Sequence, residues 1–255
     1  MLKRLIGIFA VLAMAAMGTM AQAARVSPMI VDLTPSGRGT IARVTLTNPD
    51  ARTFPVEVQM MRGEISEEGE LELTPADDQF LVFPAQAVVP ATSQQVFRVQ
   101  YVGTPELSQS EIYYMVIRQI PVELSAAENQ VQVIVNFNVL VNVVPDGATP
   151  NPVVESVRPA VRNDVAGIEV RLGNTGSRYF HAGAARWQIT GTGADGQPFS
   201  QTIEPSDVIR SVGVGVVAPN HHRLFFVPTA RPLSDAPITV SLTAPSTTAT
   251  PNPGI

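Results

Sequence analysis

The chain contains no cysteine in 255 residues. That excludes disulfides, thiolate nucleophiles and cysteine-based metal sites. Lysine is almost as scarce, occurring only as Lys3. Histidine is confined to His181, His221 and His222, and tryptophan to Trp187. Charged residues make up only 15% of the chain, and acids outnumber bases 22 to 17. Such a balance disfavours a nucleic-acid partner, whose phosphates demand a basic surface. An anion could be met only by arginine, histidine or backbone N–H groups. After residue 20 no apolar run is long enough to span a membrane.

What is present begins with a leader. Lys3 and Arg4 precede an apolar stretch, Leu5 to Met20, and Ala21-Gln22-Ala23 forms a small-x-small cleavage site. This pattern predicts a secretory signal peptide over 1–23, cut before Ala24. The mature chain then has 15 arginines against 22 acids, a net charge near −7. It is expected to be exported and soluble, and long enough to bury a core without disulfides.

The mature sequence reads as all-β. Segments rich in Val, Ile, Thr and aromatics recur between turn signals. Seven are expected in the first half: 25–33, 40–48, 54–62, 80–83, 94–102, 111–120 and 130–144. Connectors such as "TPSGRG", "NPDAR", "EEGE" and "PATS" carry turn chemistry. Seven short strands in such a length suggest an immunoglobulin-like sandwich. "VPDGATPNPV" then reads as a stiff elbow. A second β-rich half follows, with strands expected at 153–158, 167–173, 178–190, 198–203, 212–217, 223–227 and 238–242. No convincing amphipathic helix is expected. The predicted division is a first domain over 24–145, a linker over 146–152, a second domain over 153–246 and a disordered tail over 247–255.

Catalytic candidates are poor. His221 and His222 are sequence neighbours after Pro219-Asn220, better suited to a hairpin than to shared metal ligation. Gly191, Gly193 and Gly196 match the spacing of a dinucleotide loop, but "QPFSQTIEP" follows instead of a helix, so a hairpin turn is the better reading. Glu64, Glu67, Glu68, Glu70 and Glu72 lack the spacing of a calcium loop and suit a solvated hairpin around Gly69. Trp187, Tyr113 and Tyr114 suit the core or a sandwich face. Nothing implies an enzyme, a cofactor or a metal site.

The unusual stretch is "QVQVIVNFNVLVNVVP", Gln130 to Pro145. Val131, Val133, Val135, Phe137, Val139, Val141 and Val143 occupy every second position. It carries no charge, and its edge would be an aggregation hazard if left unpaired. Alternation alone also suits an ordinary sandwich strand. Three details weigh the other way: its length, its place at the end of its domain, and even positions that turn apolar only in part, as at Ile134 and Leu140. One face could serve two partners in succession.

Several stretches, in order, resemble the periplasmic chaperones of chaperone–usher pili: "VSPMIVDL", "VTLTNPDARTFPVEVQMM", "FPAQAVVPATSQQVFRVQYVG", "EIYYMVIRQIPVEL" and the strand just quoted. "RLGNTGSRYFHAG" and "VVAPNHHRLFFVP" extend the resemblance more loosely. It implies two immunoglobulin-like β-sandwich domains in an L-shaped, boomerang arrangement. It also implies a non-enzymatic protein that binds pilus subunits by donor-strand complementation and passes them to an outer-membrane usher. Val131, Val133, Val135 and Phe137 would enter the subunit's groove. A second copy could cap the donor strand as a dimer. The family holds the subunit's terminal carboxylate with two basic residues; here Ile30 and Leu140 stand at those positions. The departure suggests a divergent branch, nearer the archaic, spore-coat-like pili. Arg118 is the candidate replacement, with a structural ion pair as its alternative. A different exported module, an immunoglobulin-like adhesin or pilus component, is the competing reading.

Overall fold

The computed structural model describes residues 23–121 and 134–244. The expected leader up to Gln22, the donor positions Val131 and Val133, and the expected tail lie outside the described residues. Ten strands come from the first part of the chain. They are β1 (Arg25–Ser27), β2 (Ile30–Leu33), β3 (Ile41–Asn48), β4 (Phe54–Ile65), β5 (Leu71–Pro75), β6 (Phe80–Phe83), β7 (Gln86–Val89), β8 (Ser93–Tyr101), β9 (Glu111–Gln119) and β10 (Asn136–Val143). One sheet has the order β1-β3-β8-β6; the other runs β2-β10-β9-β4-β5, with β7 also paired to β4.

Period-two patterning builds the core between these sheets. On β3, Ala42, Val44 and Leu46 point inward while Arg43 is exposed. On β8, Phe97, Val99 and Tyr101 do the same. They meet Val56, Met60, Met115, Ile117, Val139, Val141 and Val143 from the facing sheet in one buried cluster. The segment expected as a single strand over 25–33 is in fact two. β1 pairs with β3 in the first sheet, and β2 pairs in parallel with β10 in the second. The break falls at Pro28, which has no N–H to give to a ladder.

Eight further strands follow a connector in which Gly147 takes φ +76°. They are β11 (Pro152–Arg162), β12 (Val165–Asn174), β13 (Phe180–His181), β14 (Arg186–Thr192), β15 (Pro198–Ile203), β16 (Val216–Val217), β17 (His222–Pro228) and β18 (Thr239–Thr243). They form sheets β11-β12-β17, β13-β16 and β15-β14-β18 around a second cluster that includes the fully buried Trp187. The Gly191–Gly196 stretch is the β14–β15 hairpin turn, as expected.

Two expectations for this part are corrected. A helix is present: α1 (Pro205–Val212) lies between β15 and β16. Pro205 and Asp207 both suit a first helical turn. Gly213 ends the helix at φ +65°, its N–H bonded to the Ile209 carbonyl, and Val208 is buried beneath it. The strand expected over 212–217 therefore shrinks to β16. Likewise the strand expected over 178–190 is interrupted by a 3-10 turn, Ala182–Ala184. There Trp187 donates its indole N–H to the Ala182 carbonyl at 2.9 Å, and a Cβ on Gly183 would lie 2.0 Å from the Gly213 carbonyl oxygen.

Candidate functional site

Strand β10 has two halves with different surroundings. One edge pairs with β9 along its whole length, from Asn136 opposite Arg118 to Val143 opposite Glu111. The other edge pairs with β2 only from Leu140 to Val143. Successive residues of a strand present their backbone groups to opposite sides. Leu140 and Val144 donate to Met29 and Leu33 on the β2 side, while Val135 accepts from Gln119 on the β9 side. By this alternation Asn136 and Asn138 direct N–H and C=O toward the β2 side, where no described strand meets them. The edge upstream of Leu140 is therefore open among the described residues.

Side chains follow the same alternation. Val139, Val141 and Val143 are fully buried in the first cluster, and Phe137 packs partly against it. Val135 is half-buried, and Ile134, Asn136 and Asn138 are exposed. The odd positions thus continue the line of the core toward the open end of the strand. Gln119 helps hold this end, its Oε1 accepting the Val135 N–H at 3.3 Å.

The even positions change partner at Leu140. Leu140 joins Ile112, Val144, Tyr179 and Val216 in a third buried cluster, which joins the two groups of strands. Two polar contacts flank it. In the first, Asp32 on β2 accepts from Asn142 Nδ2 at 3.0 Å, from Arg178 at 2.6 Å and from the Tyr179 hydroxyl at 2.7 Å. Burial and the Asp32 charge push the Tyr179 hydroxyl well above the usual tyrosine range. His181 lies against the Tyr179 ring at 4.5 Å, and burial lowers it to about 4. In the second contact, the β4–β5 hairpin reaches β17: the Glu67 carbonyl accepts from Leu224 N–H at 2.7 Å. The Glu67 carboxylate accepts from Arg171 at 2.6 Å. Gly69, at φ +99°, leaves room for Arg223, whose Nη2 would lie 2.7 Å from a Cβ there. The acidic hairpin is thus a contact between the two groups of strands as well as a solvated turn.

Among the candidate site residues, Val135 and Phe137 lie on the open half of the strand, while Val131 and Val133 are outside the described residues. Arg118 is exposed, opposite Asn136 on β9, and donates to Gln59 at 3.3 Å. Ile30 and Leu140 face each other across the β2–β10 ladder. His221 and His222 do not converge: His221 bonds the Pro219 carbonyl and His222 meets Glu155. Among the described residues no three histidine, aspartate or glutamate side chains are placed to hold a metal ion. Sequence reasoning missed Asp32, Asn142, Arg178 and Tyr179. The one available signal was a lone polar residue in each of two apolar stretches, "IVDL" and "VLVNVV".

Residues 32–149 match the family described as pili and flagellar-assembly chaperone, PapD N-terminal domain. That stretch is a little under half of the chain and shows a similarity to the pilus-assembly chaperones. No curated protein matches this chain. Among solved structures it is similar to the class 5 fimbriae chaperone CfaA, with 12% identity and a TM-score of 0.51 over 88% of this chain and 100% of that one. It is likewise similar to the YadV chaperone, with 12% identity and a TM-score of 0.51 over 87% of this chain and 92% of that one. At such identity the likeness shows the fold alone, a predominantly β-strand one of several sheets, in which the described residues also form the short helix α1.

Proposed function

We propose that this chain is a periplasmic chaperone that stabilises pilus subunits by lending them a strand and delivers them to an outer-membrane usher. The observation that carries this reading is the open edge of β10 upstream of Leu140, with Val135 and Phe137 continuing a buried apolar line past the end of the core. A subunit lacking one strand could pair with that edge through main-chain hydrogen bonds and take the odd side chains into its groove. Val131 and Val133 extend the same alternation and would be further donors. The reading includes two immunoglobulin-like domains, 24–145 and 153–246, set in an L and joined by residues 146–152. It includes an exported chain whose leader, 1–23, is removed, and a donor strand that a second copy could cap. Arg118 is the proposed contact for the subunit's carboxylate, since Ile30 and Leu140 supply no charge.

The test is co-expression of the tagged chain with pilus subunits of the same genome in a periplasm, followed by affinity purification. A soluble equimolar complex is expected with the wild type. Val133→Arg and Val135→Arg should abolish it while leaving the free protein folded, with a melting temperature lowered by no more than a few degrees. Capture that survives both substitutions would overturn the reading.

A further inference from the structure

Strand β2 decides how much of β10 is covered, yet little in its apolar pattern fixes where it sits. It has four residues, pairs in parallel, and its inward residues are Val31 and Leu33. A one-residue slip would turn these outward, but a two-residue slip would keep every side chain on its own face. With Ile30 opposite Asn142 instead of Leu140, the edge of β10 would be open through Val141. With Thr34 opposite Asn142, it would be covered back to Asn138. The hydrophobic pattern alone does not choose among the three.

The polar residues do choose. Asn142 is fully buried, and its side-chain carbonyl has no hydrogen-bond partner. Its amide N–H bond to Asp32 is the interaction that offsets this burial, and the two residues are direct ladder partners. Either slip would set an isoleucine or a threonine beside that amide. Asp32 is gripped in turn by Arg178 and Tyr179 from the second group of strands. Their segment is fixed to the start of β9, because Ser110 accepts the Tyr179 N–H at 2.8 Å and donates its own N–H to the Ser177 carbonyl at 2.8 Å. The grip is thus referred to β9, which pairs with β10 in an unambiguous register.

We propose that Asp32, held by Tyr179 and Arg178, is a positioning residue that fixes the register of β2 on β10 and so sets where the edge of β10 opens to a partner. The second group of strands thereby controls a site built on the first. Opening of the edge to a subunit rests on the function proposed above; the register pin does not.

The experiment is residue-resolved amide hydrogen exchange on the free full-length chain. Leu140, Asn142 and Val144 direct their N–H groups toward β2, whereas Val139, Val141 and Val143 direct theirs toward β9. In Asp32→Ala the first three amides should exchange at least tenfold faster, while the other three keep their wild-type rates. Asp32→Asn, which keeps an oxygen acceptor, should restore protection to within threefold. Should Asp32→Ala fail to fold, Tyr179→Phe removes one hydroxyl and should give the same alternation at threefold or more. Even and odd amides accelerating together would make Asp32 a general stabiliser and overturn the proposal. Unchanged rates in both variants would overturn it as well. If the alternation appears but the wild type captures no pilus subunit, strand donation is wrong and the pin stands.

Discussion

The two halves of β10 carry the same chemistry and meet different fates. Val135 and Phe137 alternate with asparagines, as Val141 and Val143 do with Asn142. Downstream, both faces are buried; upstream, neither is fully covered. The difference lies in the neighbours. From Leu140 onward, β2 closes the second edge and Tyr179 covers the even face. Before Leu140 neither is present. A strand's exposure is therefore a property of what has been placed beside it, and a uniform alternating run can be core at one end and interface at the other.

Substitutions can break that comparison. The largest effect is expected from Val141→Arg, which sets a charge in the core and should cost more than ~4 kcal/mol. Equilibrium urea denaturation should find it largely unfolded, while Val135→Arg loses about 1 kcal/mol or less. Equal losses at both positions would mean the two halves are alike. Next comes Asn142→Asp, which places a second carboxylate beside Asp32 and should cost about 3 kcal/mol at pH 7. The new carboxyl would have a raised folded pKa, so the loss should shrink as pH falls from neutral toward the usual aspartate range and be gone below it. Asn138→Asp on the open half should change stability by no more than ~0.5 kcal/mol.

A smaller effect concerns the cover alone. His181 titrates near 4 in the folded chain against 6.5 ordinarily, because burial disfavours its charged form. The folded value is depressed, so its contribution is present above pH 6.5 and is lost as pH falls toward 4. About 2 kcal/mol should disappear by pH 5. Thermal melts of the wild type and His181→Phe across that window should show the loss in the first only. The smallest expected effect on stability is at Arg118, exposed beside the open half. Arg118→Ala should alter stability by less than ~0.5 kcal/mol but weaken subunit capture in the affinity assay. Unchanged capture would discard its proposed role.

Much of this arrangement was legible in the sequence wherever the relevant partner is simply the core. The odd valines of β10, the inward residues of β3 and β8, and buried Trp187 follow from period and polarity alone. Reading failed where one pattern serves two neighbours. Arg25–Leu33 looks like one strand because each half is apolar on the inward side, yet the halves pair in different sheets. Pro205-Ser206-Asp207 suits both a turn and a helix start, and only burial of Val208 distinguishes them. Asp32 and Asn142 lie 110 positions apart, and Tyr179 is farther still along the chain. No local signal announces that they meet.

The β4–β5 hairpin has a consequence of another kind. β17 borders its sheet, and the Glu67 carbonyl occupies Leu224 N–H on that border. One group of strands thus shields a hydrogen-bonding rim of the other. If the hairpin were shortened, the Leu224 N–H rim of β17 would be exposed along with the open edge of β10. A chain with two such rims can link head to tail without closing, and its expected product is a filament of itself.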